Sequence, residues 1–136
     1  MDDQKTIVEI CAQDGRFSKN AYFFMLEALE FTFQSRDKDK EAPNGAVRHV
    51  SGAQLLAGIR TFALQQFGPM TSTVLREWGL QRTEDFGAIV FNLIKAGRLQ
   101  KSEDDSLSDF AGGFDFYETF EKPFLPPSRQ QAKPQA

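Results

Sequence analysis

The alternation of apolar and polar positions divides this chain into helical stretches, clearest between Val50 and Gly97. Leu55, Leu56, Ile59, Phe62, Ala63 and Phe67 recur at intervals of three and four, the spacing of one helix face. Ser51 and Gln54 have the spacing of a capping box at the start of that helix, and Val50 with Leu55 that of a hydrophobic staple. Gly68-Pro69 punctuates the chain, and Pro69 suits the first position of a second helix that buries Met70, Val74, Leu75 and Trp78. Gly79 is expected to end it in the left-handed conformation, with Leu80 against Leu75 as in a Schellman motif. Thr83 then caps a third helix, with Glu84 and Asp85 at its positive end and Lys95 and Gly97 closing it. Phe86, Ile89, Val90, Phe91, Leu93 and Ile94 leave this helix a narrow polar stripe of Asp85, Asn92 and Lys95. Such a helix belongs in the middle of a bundle, so Phe86, Val90, Phe91 and Ile94 are expected to be buried.

The flanking stretches are shorter. Residues 4–13 predict a helix with Ile7, Ile10 and Cys11 on one face, ended by Gly15. Ser18 caps a longer one over about 19–33, striped by Tyr22, Met25, Leu26, Leu29 and Phe33, although Phe31-Thr32-Phe33 alternates like a strand. Residues 35–46 are charged and turn-forming and predict a mobile surface loop, and Val47 to Val50 a short extended entry into the capped helix. Beyond Gly97, Arg98 to Lys101 has the pattern of a short strand. Ser102 begins a turn through Leu107 and Phe110, and Asp115 with Glu118 forms a second capping box for a short helix around 116–121. The expected fold is mainly α: a compact single-domain helical bundle over 1–124, with a helix-turn-helix or winged-helix-like centre and at most a small β-hairpin. Residues 125–136, rich in Pro and Gln, predict a disordered tail.

Composition narrows the picture. Fourteen Phe against two Tyr and one Trp in 136 residues make the aromatic content almost wholly apolar, enough to build one core without a metal or disulfide staple. A single Cys excludes an intrachain disulfide and the usual zinc spacings. The acidic amino terminus lacks the pattern of a signal peptide, and no apolar run approaches a membrane span of about 20 residues, so a cytoplasmic location and no membrane partner are expected. The net charge of −3 is unevenly spread. Residues 51–102 carry six Lys or Arg against three acids, whereas 103–121 carry seven acids and no base. Packing of the acidic, Phe-rich segment back onto the basic block is the expectation, because six free aromatics would expose too much apolar surface.

Candidate chemistry is sparse. Helix, Gly turn, helix, then a short strand is the order of a winged helix, but the recognition helix would open on Glu84 and Asp85, which phosphate repels. Arg60, Arg76, Arg82, Arg98 and Lys101 are spread over about forty positions, which favours an ordinary solvated surface over a nucleic-acid site. Cys11 and His49 would make the one thiol–imidazole pair available, yet Cys11 falls on an apolar face. Asp37, Asp39 and Glu41 imitate the opening of a calcium loop, but Ala42 and Arg48 stand where Gly and Glu are required. No catalytic, metal or cofactor residue is therefore assigned. The most suggestive constellation surrounds Trp78: Arg76, Glu77, Arg82, Asp85, Arg98 and Lys101 form the candidate interaction surface, since Trp and Arg are frequent interface anchors, although a buried Trp78 with Arg82–Asp85 or Arg76–Glu77 bracing the turn is the plainer reading of the same residues.

The run His49 to Leu56, with Phe67-Gly68-Pro69-Met70, Val74-Leu75-Arg76-Glu77-Trp78-Gly79 and Thr83-Glu84-Asp85-Phe86-Gly87, resembles an uncharacterised family of small proteins from planctomycetes and verrucomicrobia. The resemblance covers roughly Phe17 to Phe120 and implies a natural bacterial domain. It implies no activity, cofactor or site residue. The expected function is a non-enzymatic cytoplasmic adaptor or regulator that binds another protein. A winged-helix-like nucleic-acid binder is the alternative, and a small enzyme comes third.

Overall fold

The computed structural model describes residues 3–39, 51–97 and 107–126. Among them are five α-helices: α1 (Asp3–Gln13), α2 (Lys19–Asp39), α3 (Gly52–Phe67), α4 (Thr71–Glu77) and α5 (Thr83–Lys95). No strand occurs among the described residues, and the fold is mainly helical. The stretch Arg98 to Lys101, His49, Val50 with its staple, residues 40–46 of the expected loop and residues 127–136 of the expected tail lie outside them.

Local signals set several boundaries directly. The Ser51 hydroxyl accepts from the Gln54 amide at 3.1 Å, while the Gln54 side chain accepts from the Ser51 amide at 3.0 Å, completing the capping box of α3. At the end of α4, Gly79 has φ +93°. Its amide donates to Arg76 O at 3.0 Å, and that of Leu80 to Leu75 O at 2.9 Å, the two bonds of a Schellman motif. Leu75 and Leu80 are both fully buried. The Ser18 hydroxyl accepts from the Asn20 amide at 3.1 Å and caps α2.

Other expectations needed correction. Helix α2 does not stop near Phe33 but runs to Asp39, so residues 35–39 of the expected loop are helical. The strand-like alternation at Phe31–Phe33 is overridden by packing. The Phe31 ring lies tilted against that of Phe62 of α3, centroids 5.3 Å apart, and the Thr32 hydroxyl donates back to Ala28 O at 2.8 Å, a bond that belongs to a helix. Pro69 opens a 3-10 turn, Gly68–Met70, rather than α4 itself, and Met70 projects into solvent, 55% exposed. Thr83 is the first residue of α5 and not its cap. The cap position is Arg82, and the Asp85 carboxylate accepts from the Gln81 and Arg82 amides at 2.9 and 3.2 Å. Phe91 and Ile94 are half-buried, whereas Phe86, Ile89 and Leu93 are fully enclosed.

The core lies between α2, α3 and α5, with α1 closing one side. Two helical glycines, each a cost of about 1 kcal/mol against Ala, mark close crossings. A Cβ at Gly58 of α3 would collide with the Thr32 side chain of α2, which lies directly against the α3 backbone there. A Cβ at Gly87 would fall 2.9 Å from the Phe110 ring.

Phe110 belongs to the last described segment, a 3-10 turn (Leu107–Phe110), a π turn (Tyr117–Glu121) and a second 3-10 turn (Lys122–Phe124). The Asp115 carboxylate accepts from the Glu118 amide at 3.1 Å, which fulfils half of the expected capping box. Phe110 and Phe120 are buried, Phe114 and Phe116 are packed against the core, and Phe124 remains 43% exposed.

Candidate interaction surface

Trp78 caps α4, half-buried in an aromatic ladder. Its ring lies 5.6 Å from those of both Phe24 and Phe67, and Phe24 in turn lies 5.6 Å from Phe62. The turn after it is covered from one side: Trp78 O accepts from the Ser18 amide at 3.1 Å, and a Cβ at Gly79 would fall 2.5 Å from Arg16 O. The α1–α2 turn thus seals the concave side of the α4–α5 junction.

The charges expected around Trp78 divide between partners. Arg76 donates to the Ser72 hydroxyl at 2.7 Å and pairs with Glu121 at 3.4 Å, so its charge is engaged by the C-terminal segment. Arg82 lies 4.0 Å from Asp85, whose carboxylate also holds the start of α5. Glu77 is exposed beside Trp78. Arg98 and Lys101 lie outside the described residues, as does His49. Arg76, Glu77, Trp78, Arg82 and Asp85 therefore share one end of the α4–α5 pair, and three of its four charges, Arg76, Arg82 and Asp85, are paired within this chain while the two arginines stay largely exposed.

A second polar cluster escaped the sequence reading. Asn92 donates at 3.0 Å to both the Asp14 carboxylate and the Tyr22 hydroxyl, joining α5 to α1 and α2. Arg16 grips the same carboxylate through Nε at 2.9 Å and Nη2 at 2.7 Å. Asp14 and Asn92 of this cluster line a groove of about 540 Å³ between α1 and α5, together with Thr6, Glu9, Gln13 and Lys95. Asp14 and Asn92 stand 78 positions apart in the chain, so nothing in the local pattern pairs them.

Bonds and burial set the charge states around Asp14. The Arg16 guanidinium, and after it the Asn92 amide, hold the Asp14 carboxyl far below the usual carboxylate range. Burial pushes the Tyr22 phenol and the Cys11 thiol up from their ordinary values. Near neutral pH the carboxylate is therefore ionised and the phenol and thiol are protonated, each moved away from the range in which a side chain exchanges protons readily. Among the described residues, no three of His, Cys, Asp or Glu are grouped so as to hold a metal ion. No described helix is long and apolar enough to cross a membrane. In comparisons with known proteins, no family model, no curated protein and no solved structure matches this chain.

Proposed function

We propose that this protein is a non-enzymatic cytoplasmic adaptor or regulatory domain that binds another protein through the Trp78 end of α4 and α5. The observation that carries this reading is Trp78 itself. A half-buried Trp, backed by Phe24 and Phe67 and edged by exposed Glu77 and Arg82, combines a rigid apolar anchor with orienting charge. The test is capture from the native host with the wild-type chain and with the double variant Glu77→Arg/Arg82→Glu, both checked by circular dichroism. A protein retained by the first and lost from the second is expected. The same proteins on both would overturn the reading.

The order α4, Gly79 turn, α5 favours a second reading, a helix-turn-helix or winged-helix-like nucleic-acid binder with a hairpin following α5. It is the weaker one because Glu84 and Asp85 occupy the first turn of α5 and Arg76 is paired with Glu121. Salt-sensitive binding of duplex DNA by the full chain at physiological ionic strength would promote it above the adaptor.

A further inference from the structure

The segment 107–124 packs against the helices along a seat built to receive it. Phe110 rests where Gly87 has no side chain, and a Cβ on Gly113 would fall 2.5 Å from Leu56 Cδ1. Asp109 approaches so closely that a Cβ on Gly52 would lie 2.6 Å from its own. Phe114 and Phe116 cover the buried Phe86 at 6.4 and 5.6 Å, and Phe120 meets both edge-on. Beside Phe116 and Glu121 a cavity of about 320 Å³ remains against Ser72, Arg76 and Leu80.

The polar ties to the helices run through side chains. The Thr83 hydroxyl donates to Phe110 O at 2.6 Å and accepts from the Gly113 amide at 3.1 Å, while Glu84 accepts from the Gly112 amide. At the far end Arg76 and Glu121 form a half-exposed ion pair. The main-chain bond of Thr119 to Asp115 stays inside the segment, and that of Leu125 to Lys122 closes its end. Because its turns bond within themselves and its polar ties to the helices run through side chains, the segment can open as a unit without breaking a helix, at the cost of exposing Phe110 and Phe120.

We infer that residues 107–124 are a releasable strap over a peptide-docking groove formed by α3, α4 and α5, and that the groove also takes an acidic, Phe-rich segment of a partner protein. The occupant's chemistry is read from the strap, whose rings fill the groove and whose Glu121 pairs with the groove's Arg76. The strap is then an autoinhibitory contact: closed, it shields the groove; open, it exposes Phe86 and Leu80 to the competitor. A tethered segment has an effective concentration in the millimolar range, so a partner segment competes where the strap is loosened. The inference shares Arg76 with the Trp78 surface but does not depend on that surface, since amide exchange and binding of the strap peptide report on the strap and not on a Trp78 partner.

The test uses the full chain. Hydrogen exchange of the strap amides in the wild type is expected to run about tenfold or more ahead of that in α2 and α5. The strap-side variant Phe116→Ala/Glu121→Arg, which leaves the groove intact, is expected to raise strap exchange further and to bind a labelled synthetic peptide of residues 107–124 saturably. The wild-type chain should bind that peptide several-fold more weakly. Strap amides that exchange in step with α5 in the wild type would overturn the inference, whether or not the variant folds. Failure of an opened variant to bind the peptide, or equal binding of a scrambled peptide, would also overturn it.

Discussion

Phe86 sits where the helical core and the C-terminal strap meet, fully buried and touched by the rings of Phe114 and Phe116. Its truncation leaves a cavity that helix α5, pinned on both sides, cannot collapse to fill. Phe86→Ala is therefore expected to cost about 3–5 kcal/mol, the range for a buried ring. Phe91→Ala, at a half-buried position on the same helix, should cost distinctly less. Urea denaturation of the two variants checks this, and equal losses would contradict the assignment of Phe86 as the central ring. The apolar identity of both residues was plain in the sequence, but which was more deeply enclosed was not. Phe91 fits the helical stripe as well as Phe86 does, and the difference comes from the strap, whose rings settle on Phe86.

Among the helices, α3 is the most completely specified by its own residues. Ser51 and Gln54 exchange two hydrogen bonds, so both satisfy amides that would otherwise face water unpaired. Ser51→Ala should lower stability by about 1 kcal/mol, and Ser51→Asn should recover most of it. A thermal melt of Ser51→Ala superimposable on that of the wild type would show that the cap contributes nothing. The end of α4 was equally legible, because Gly79 and Leu80 satisfy a motif confined to six consecutive residues. Where an expectation failed, a distant partner was responsible. Thr83 has the chemistry of a cap, yet its hydroxyl is taken by Phe110 O, 27 positions away, and Asp85 ties down the helix start instead. Within α2, the strand-like alternation at Phe31–Phe33 gives way where Phe31 meets Phe62 of α3.

For the whole molecule, the tie between α1, α2 and α5 depends on one ionised group. Asp14 is held below its ordinary pKa by Arg16 and Asn92, so it binds a proton less readily folded than unfolded. Its contribution to stability is full above the ordinary carboxylate value near about 4 and is lost as pH falls toward the depressed folded value. The advantage in melting temperature of the wild type over Asp14→Asn should accordingly be constant from about pH 7 to 5 and shrink below about pH 4. An advantage independent of pH down to about 2 would show that Asp14 acts by packing and not by charge.

The presence of the helices, the Ser51 box, the Schellman turn and the apolar character of the acidic segment were determined by the sequence alone, because each depends on residues within one or two turns of one another. The tertiary structure decided which charges remain available and which polar groups are joined. Arg76 could not be matched to Glu121, nor Asp14 to Asn92, until the helices were placed, because such pairs leave no periodic trace in the chain. Gly58 and Gly87 illustrate the same division: the sequence shows a glycine in a helix, and only the neighbouring Thr32 and Phe110 show why a side chain there has no room.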